Sequence, residues 1–418
     1  MNIPLSHDPE QQLSATERLR ILTFTTLYPG GAQPNHGVFV ENRLRHLLAT
    51  GRVEARVMAP VPWFPSTASR FGRYALLARM PQQETRNGID VVHPRYPALP
   101  KLGMSVSPAL LFAATLLPAW RRQAEFDLID AHYFYPDGVA AVMLGQSLKK
   151  PVVITARGTD INLIPRYPFP RRMIAYAARR AAGIIAVSQA LKDEMISIGV
   201  AADRISVLRN GVDLELFTPG DRSAAQAALG LTGRTLLSVG LLIERKGHDL
   251  VISALPQLAD CTLLIVGEGQ ELARLKALAQ SLGIETRVRF LGAVPHQELR
   301  KIYVAADALV LASSREGWPN VLLEAMACGT PVVASAVWGN PEIVSVPQAG
   351  ILMRERSATG VAEAVEQLFG DLPSREATRA FAERFSWDDT SAGQIRLFRE
   401  VLARHSADGL REHLPLNA

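Results

Sequence analysis

The chain contains 418 residues, of which 48% are hydrophobic and 20% charged, a composition typical of soluble globular proteins with more than one domain. Its two cysteines are too few for a disulfide framework, and its polar first residues have no apolar signal core. The composition argues against a secreted protein, and we expect a cytoplasmic one.

The net charge of +5 is unevenly distributed along the chain. Residues 1–210 contain 25 Lys and Arg against 15 Asp and Glu, whereas the remainder contains 20 against 25. An ordinary solvated surface explains this excess. A first half that faces an anionic membrane or a phosphate-bearing acceptor explains it equally well. Nucleic acid is disfavoured as a partner, because the basic residues are dispersed and no nucleic-acid-binding module is recognisable.

Short runs rich in Val, Ile and Leu alternate with longer amphipathic segments along the whole chain. The predicted strands are, in order, LRILTFTT, EARVMAP, GIDVVHP, FDLIDAH, PVVITA, GIIAVS and RISVLRN in the first half, then TLLSVG, CTLLIVG, RVRFLG, ALVLASS, PVVAS and AGILM. Continuous apolar runs of this kind are typical of buried parallel strands. The longest apolar run, Met104 to Trp120, contains two prolines and is short for a bilayer span, so a core helix is favoured over a membrane-dipping segment.

This alternation predicts an α/β protein with two Rossmann-like, doubly wound domains. The first pattern ends near NGVDLELFTPGDRS, at Pro219 and Gly220. The predicted organisation is a flexible tail at 1–17, a first domain at 18–215, a linker at 216–230, a second domain at 231–385, and a C-terminal helix and tail at 386–418 that pack back toward the first domain.

Ligands of doubly wound sheets bind at the carboxyl ends of the strands. The polar and glycine residues that fall there are Gly30, Gly31, Gly37, His132, Gly158, Asp160 and Ser188 in the first half, and Gly240, Gly267, Gly269 and Glu316 in the second. Two such edges that face each other would enclose a cleft.

The cations Arg245 and Lys246 follow the strand TLLSVG. Two adjacent cations beside Gly247 suit a diphosphate, although a solvated pair that opens a surface helix explains this short motif as well. VGEGQELARL lacks the third glycine of a dinucleotide fingerprint, and the sequence contains no P-loop, no D-x-D and no His/Cys cluster with metal spacing. We therefore expect no metal site.

The stretch REGWPNVLLEAMACGTPVVAS holds two carboxylates, Glu316 and Glu324. A helix that starts near Pro319 would direct its free amides at the cleft, with Glu316 on the preceding loop and Glu324 buried in the second turn. Because carboxylates accept hydrogen bonds from vicinal hydroxyls, a hexose suits Glu316 and a ribose suits Glu324. The alternative, one buried glutamate with a backbone partner and one surface glutamate, is weaker because an unpaired buried charge is costly.

This element resembles the glutamate-seven-residues-glutamate motif of the family four retaining glycosyltransferases. VLRNGVDLELFTP, ERKGHD, IVGEGQE, RFLGAVPHQEL and FSW also fit that family, in its order, so the resemblance covers most of the chain. It implies a GT-B architecture, in which two facing Rossmann-like domains enclose a deep cleft, with the nucleotide sugar on the second domain and the acceptor on the first.

The resemblance implies catalytic roles for Glu316 at the sugar hydroxyls, Lys246 at the donor diphosphate and His132 beside the donor sugar. The residues implied to bind the donor are Glu324, at the ribose, and Arg245, Gly37, Gly240, Gly267, Gly269, Val294, Gly317, Pro319 and Asn320. Leu241 stands where the family often has arginine, so Arg245 would be the second diphosphate cation. Arg157 stands where the family's HG-x-D motif has histidine. Arg157 and Asp160 would contact a phosphate or carboxylate of the acceptor.

We therefore predict a retaining glycosyltransferase that needs neither metal nor cofactor and uses a nucleotide-diphosphate sugar as donor. Its acceptor would be a lipid-linked glycan of cell-surface or exopolysaccharide synthesis, at the inner face of the cytoplasmic membrane. A sugar-nucleotide epimerase of the same architecture is the alternative enzyme, and the ordered ERKG and glutamate elements argue against it. A nucleotide-sugar-binding protein without catalytic activity is the non-enzymatic alternative.

Overall fold

The computed structural model describes residues 18–97 and 103–412. Within these residues the strands form one sheet of eight strands, one of six and one of two. The strands of the first half are β1 (Leu19–Phe24), β2 (Val53–Met58), β3 (Val61–Trp63), β4 (Gln83–Arg86), β5 (Ile89–Val92), β6 (Arg95–Pro97), β7 (Leu128–His132), β8 (Val152–Ala156), β9 (Gly183–Ala186) and β10 (Ile205–Val207). The strands of the second half are β11 (Arg234–Val239), β12 (Cys261–Val266), β13 (Val288–Gly292), β14 (Ala308–Leu311), β15 (Val332–Ser335) and β16 (Gly350–Met353).

The helices lie between these strands. Those of the first half are α1 (Val38–Ala49), α2 (Arg73–Ala78), α3 (Gly103–Arg121), α4 (Val139–Leu148), α5 (Thr159–Asn162), α6 (Pro168–Arg180) and α7 (Gln189–Ser197). Those that follow are α8 (Arg222–Ala228), α9 (His248–Ala254), α10 (Leu272–Ser281), α11 (Leu299–Ala305), α12 (Asn320–Ala327), α13 (Asn340–Ile343), α14 (Ala358–Gly370), α15 (Arg375–Ala382) and α16 (Trp387–Glu412).

The first sheet has the order β10-β9-β8-β7-β1-β2-β5-β4, in which only the edge strand β4 runs antiparallel among the strands described. Its central strands β7 and β8 are buried along their whole length, as their apolar composition predicts. Helices α3, α4, α6 and α7 cover one face, whereas α1 and α16 cover the other. The short strands β3, β4 and β6 lie outside the sequence prediction, because three or four residues carry too little pattern.

The second sheet has the order β13-β12-β11-β14-β15-β16, and its strands are parallel throughout the described residues. Both sheets therefore reverse their strand order once, the first between β1 and β7 and the second between β11 and β14. Doubly wound sheets bind their ligands at this switch point, at the carboxyl ends of the strands. We therefore expect ligand-binding residues in the loops after β1 and β7 and in the loops after β11 and β14.

The predicted linker at 216–230 contains helix α8, which the sequence analysis did not predict. The Asp221 side chain caps α8 by accepting from the Ala224 N–H at 3.0 Å, and Arg222 forms an ion pair with Asp307 of the second domain. Helix α16 returns to the first sheet, where Ile395 and Phe398 join its buried core. The chain therefore crosses between the domains twice.

The apolar run 104–120 forms α3, which is a partly buried helix rather than a core helix. One side packs into the first domain, whereas Leu117 and Trp120 are more than half exposed. In the described part of the chain, no helix combines the length and the apolarity that a bilayer span requires.

Candidate active site

A hydrogen-bonded lysine–glutamate pair lies at the switch point of the second sheet. Lys246, on the turn after β11, donates from Nζ to Oε1 of Glu316, on the loop after β14, at 2.7 Å. Oγ of Ser313 donates to the same oxygen at 2.7 Å, and Nη1 of Arg245 lies 3.6 Å from Oε2. The structure therefore brings together three residues that the sequence predicted for one site, and it adds Ser313.

Glu316 is only 7% exposed, so its charge depends on these partners. Burial alone would raise the pKa of Glu316, but Lys246, Arg245 and the hydrogen bonds from Lys246 and Ser313 lower that pKa below its ordinary value. The carboxylate is therefore an anion at neutral pH, held between two cations. Its Oε2 atom lies beside the Arg245 guanidinium.

Helix α12 begins beside this pair, directly after Pro319. Among residues 18–97 and 103–412, no side chain caps its first turn, and the first amides of a helix carry a partial positive charge. The loop before it passes very close to the first domain, where a Cβ atom on Gly317 would lie 1.9 Å from the Arg157 carbonyl oxygen. Glycine permits this approach because it has no Cβ atom. The approach brings the edges of the two domains together beside Glu316.

Further contacts join the two domains at the same edge. Nε1 of Trp318 donates to the Asn210 carbonyl oxygen at 2.9 Å, and Nδ2 of Asn210 donates to Oδ1 of Asn320 at 3.3 Å. Glu342 on α13 accepts from the Arg209 guanidinium at 2.6 Å and from the Ala190 backbone N–H at 3.1 Å. Residues 209–210 thus anchor the first domain to the loop and helix that follow β14 and to helix α13 after β15.

The second glutamate, Glu324, is held by two side chains that the sequence prediction missed. Its Oε2 accepts from the Tyr303 hydroxyl at 2.8 Å, and its Oε1 lies 3.0 Å from Nε2 of His296. Burial and the Glu324 charge raise the pKa of Tyr303 well above its ordinary value. Burial would lower the pKa of His296, but the hydrogen bond and charge of Glu324 raise it overall. The buried carboxylate is therefore paired, with a side-chain rather than a backbone partner.

His132, the last residue of β7, is buried in a charged cluster of the first domain. Its Nε2 lies 3.2 Å from Oδ2 of Asp130, and its Nδ1 lies 2.5 Å from Nη2 of Arg157. Burial, together with nearby Arg157 and Arg43, lowers the pKa of His132 to about 4 against the opposing effect of Asp130. His132 is therefore neutral at pH 7, with its proton on Nε2, because Nδ1 accepts from Arg157.

Arg157 and Asp160, the predicted acceptor residues, have protein partners in this structure. Nη1 of Arg157 donates to Oδ1 of Asn210 at 3.1 Å, and its side chain is buried. The Asp160 carboxylate accepts from the backbone N–H groups of Phe134 and Gly158, each at 2.7 Å. These contacts shape the loop after β8, so an acceptor role for either residue stays a prediction.

The other predicted donor residues surround the switch points. Gly37 caps α1 with φ 71°, and a Cβ atom there would lie 2.3 Å from the Leu27 carbonyl carbon, so the packing of this loop already requires glycine. The remaining positions follow the carboxyl ends of the strands, namely Gly240 after β11, Gly267 and Gly269 after β12, and Val294 after β13. Their contacts with a donor stay predictions.

Two facing doubly wound domains with a cation–carboxylate site between them define a glycosyltransferase of GT-B architecture. The profile of the family described as Glycosyl transferases group 1 matches residues 221–385, and that of Glycosyltransferase Family 4 matches residues 81–216. A teichuronic acid biosynthesis glycosyltransferase of Bacillus subtilis (strain 168) is 30% identical over 358 residues, which cover 83% of this chain and 88% of that protein. The chain belongs to the group 1 glycosyltransferase family.

Other relatives match more locally or at lower identity. The D-inositol 3-phosphate glycosyltransferase of Mycobacterium tuberculosis (strain CDC 1551 / Oshkosh) is 36% identical over 233 residues, 52% of this chain and 48% of that protein. The structure of sucrose-phosphate synthase from Thermosynechococcus elongatus superposes with a TM-score of 0.75 at 20% identity, covering 93% of this chain and all of that one. Anabaena Alr3699/HepE in complex with UDP-glucose gives a TM-score of 0.69 at 22% identity, covering 93% of this chain and 99% of that one. At these identities the two structures establish the fold alone.

Proposed function

We propose that this enzyme transfers a sugar from a nucleotide-diphosphate sugar to a glycan acceptor with retention of anomeric configuration. The observation that supports this best is the ion pair of Lys246 and Glu316 beside the start of α12. Lys246, Arg245 and the first amides of α12 form a positive site for the departing diphosphate, where preorganised donors stabilise developing charge. Oε2 of Glu316 would accept from the sugar hydroxyls.

The donor would extend from this pair toward Glu324. Tyr303 and His296 fix the Glu324 carboxylate at one position, and such a fixed acceptor suits the two vicinal hydroxyls of a ribose. A ribose bound there would compete with Tyr303 and His296 for the Glu324 carboxylate oxygens or share those oxygens with them. Solved structures of similar fold have been determined with UDP and UDP-glucose, which supports a nucleotide sugar as donor.

Retention follows from the assignments of the carboxylates at the centre of the cleft. Double displacement needs a free nucleophilic carboxylate and inversion needs a free general base, whereas Glu316 is engaged with Lys246 and Ser313. His132 donates to Asp130 and accepts from Arg157, so its ring nitrogens are both occupied. The diphosphate oxygen itself would then accept the acceptor's proton on the front face of the sugar, without a metal.

The acceptor would be a lipid-linked glycan at the inner face of the cytoplasmic membrane. The relative from Bacillus subtilis is named for teichuronic acid biosynthesis. The basic first half of the chain suits an acceptor or a surface that carries phosphate. We expect a role in cell-surface or exopolysaccharide synthesis.

A single assay series tests this function. Purified enzyme is incubated with radiolabelled UDP-, GDP- and ADP-sugars, with and without membrane lipid extract, and products are examined by chromatography and NMR. Transfer of label to lipid with retained configuration, undiminished by EDTA, supports the proposal. An inverted product, a requirement for metal, epimerised donor or binding without turnover contradicts it.

A further inference from the structure

Helix α3 exposes an apolar stripe along most of its length. No charged residue occurs between Gly103 and Trp120, and the exposed positions include Met104, Ala109, Ala113, Leu117 and Trp120. Leu117 and Trp120 are 52% and 56% exposed, and Met104 is 46% exposed. The opposite side of α3 is buried at Leu111, Thr115 and Ala119, so the helix is fixed with this stripe outward. At 1.5 Å per residue the stripe is roughly 25 Å long.

Positive charge lies at the end of α3 and along the neighbouring helix α6, and no negative charge lies on α3, α4 or α6. Helices α3, α4 and α6 contact one another on one face of the first sheet, and none of the three contains Asp or Glu. The exposed arginines that they present are Arg121, Arg171, Arg172, Arg179 and Arg180. Among the residues that the structure describes, none of these five forms an ion pair with a carboxylate, so their charge is uncompensated.

Two aromatic side chains stand at the start of α6. Tyr167 and Phe169 are 47% and 46% exposed, and Arg171 lies two positions after Phe169. Aromatic rings beside arginines on an apolar surface are typical of proteins that lie in the interfacial layer of a membrane. Because α6 follows β8 and α3 precedes β7, both helices begin at the carboxyl edge of the first sheet, the edge that faces the active site.

We infer that the outer surface of α3 and α6 docks on an anionic bilayer, with the α3 stripe and the two aromatic rings among the lipid headgroups and the arginines on their phosphates. This inference rests on the proposed function and deepens it, because it brings the first domain to the bilayer that would hold a lipid-linked acceptor. A second copy of the chain is a poorer occupant. A symmetric dimer through this face would place its uncompensated arginines opposite one another.

The test is sedimentation of the full chain with phosphatidylcholine vesicles prepared with and without phosphatidylglycerol. Wild type should bind only the anionic vesicles, and binding should fall as salt is added. The double variants Leu117→Ser/Trp120→Ser and Arg171→Glu/Arg172→Glu should each weaken partitioning by at least about tenfold. Leu282→Ser/Leu372→Ser, which changes two exposed apolar residues of the second domain, should bind as wild type does.

A second exposed apolar segment of the first domain is the competing candidate for the membrane-docking surface. Trp63 and Tyr74, near β3 and α2, are 56% and 49% exposed, so Trp63→Ser/Tyr74→Ser removes comparable apolar surface elsewhere on the first domain. Loss of binding in that variant with retention in the α3 variant would overturn the assignment to α3 and α6. Equal binding to neutral vesicles, no binding by wild type, or a dimer in light scattering that the α3 variant abolishes would overturn it too.

The proposed function is followed separately in the same variants, by the rise in unfolding temperature on adding nucleotide sugars. If wild type does not bind vesicles but its unfolding temperature still rises with nucleotide sugars, the membrane surface is rejected and the donor assignment stands. A missing ligand shift in wild type, with vesicle binding intact, rejects the donor assignment and leaves the membrane surface standing.

Discussion

Nζ of Lys246 and Oε1 of Glu316 lie 2.7 Å apart, although 70 positions separate the two residues in the chain. Neighbouring strands β11 and β14 deliver them from opposite sides of the switch point of the second sheet. Each residue depends on the other, since Lys246 lowers the pKa of Glu316, which burial alone would raise. With Arg245 the cluster carries two positive charges against one negative charge, and this excess is the basis of the proposal that a diphosphate binds there.

Lys246→Ala should lower kcat by about a hundredfold or more, the usual effect of removing one preorganised donor to developing charge. Arg245 and Ser313 still contact Glu316 in this variant, so the protein should remain folded. Initial rates and thermal unfolding measure the two effects. Lys301→Ala, which removes an exposed lysine paired with Glu298, is the matched control and should keep wild-type activity. A Lys246→Ala enzyme within threefold of wild type contradicts the role given to the lysine.

The parallel strands could be predicted because both faces of each sheet are covered by helices, which forces continuous apolar runs such as ALVLASS. Their carboxyl ends then located Lys246 and Glu316 without knowledge of any contact. Pro319 likewise predicted the start of α12, because proline is favoured at the first positions of a helix. Such features depend on local sequence and on one general rule of sheet topology.

The partners of the buried charges could not be predicted in this way. His296 and Tyr303 are 28 and 21 positions from Glu324, and only the packing of α11 on α12 brings them to it. Likewise, Asn210, which accepts from the Arg157 guanidinium, lies 53 positions from it in the chain, and the acceptor role of Arg157 stays a prediction. Helix α8 was missed although Asp221 before an alanine-rich segment is a capping signal.

Glu324→Gln should chiefly weaken donor binding. The amide keeps the volume of the carboxylate but loses its charge and one of its acceptor oxygens, so both the ribose and Tyr303 would meet a poorer partner. We expect KM for the donor to rise by about tenfold, with kcat changed by less than about threefold. Steady-state kinetics over a range of donor concentrations checks this split. A fall confined to kcat would show that Glu324 acts on the reaction step instead.

Gly317→Ala should prevent the two domain edges from closing. The added Cβ would lie 1.9 Å from the Arg157 carbonyl oxygen, so backbone would have to move apart. A displacement of about 1 Å at the reacting groups can cost about a hundredfold in rate, and we expect that loss with a larger radius of gyration in X-ray scattering. Gly370→Ala is the control, because nothing lies within 4 Å of a Cβ there. Full activity in Gly317→Ala would contradict a closed working state.

His132 should make the folded state sensitive to acid. Burial lowers its pKa from 6.5 to about 4, so between those values the unfolded chain binds a proton that the folded protein does not. The free energy of unfolding should therefore fall as pH decreases through this window, by up to about 1.4 kcal/mol per pH unit from this residue.

Other groups titrate in the same window, including His248, whose pKa burial also lowers to about 4, and Asp137, whose pKa burial raises to about 7. The informative quantity is therefore the difference between wild type and His132→Gln, measured by urea unfolding from pH 7.5 to about pH 4.5. Glutamine can donate to Asp130 and accept from Arg157 as the neutral imidazole does, but it does not titrate. The stability of wild type relative to the variant should decline steadily with acid, because the contributions of the other groups cancel in the difference. A difference that stays constant with pH would mean that the pKa of His132 is the same in the folded protein as in the unfolded chain, and the assignment of His132 as a residue that burial keeps neutral would have to be withdrawn.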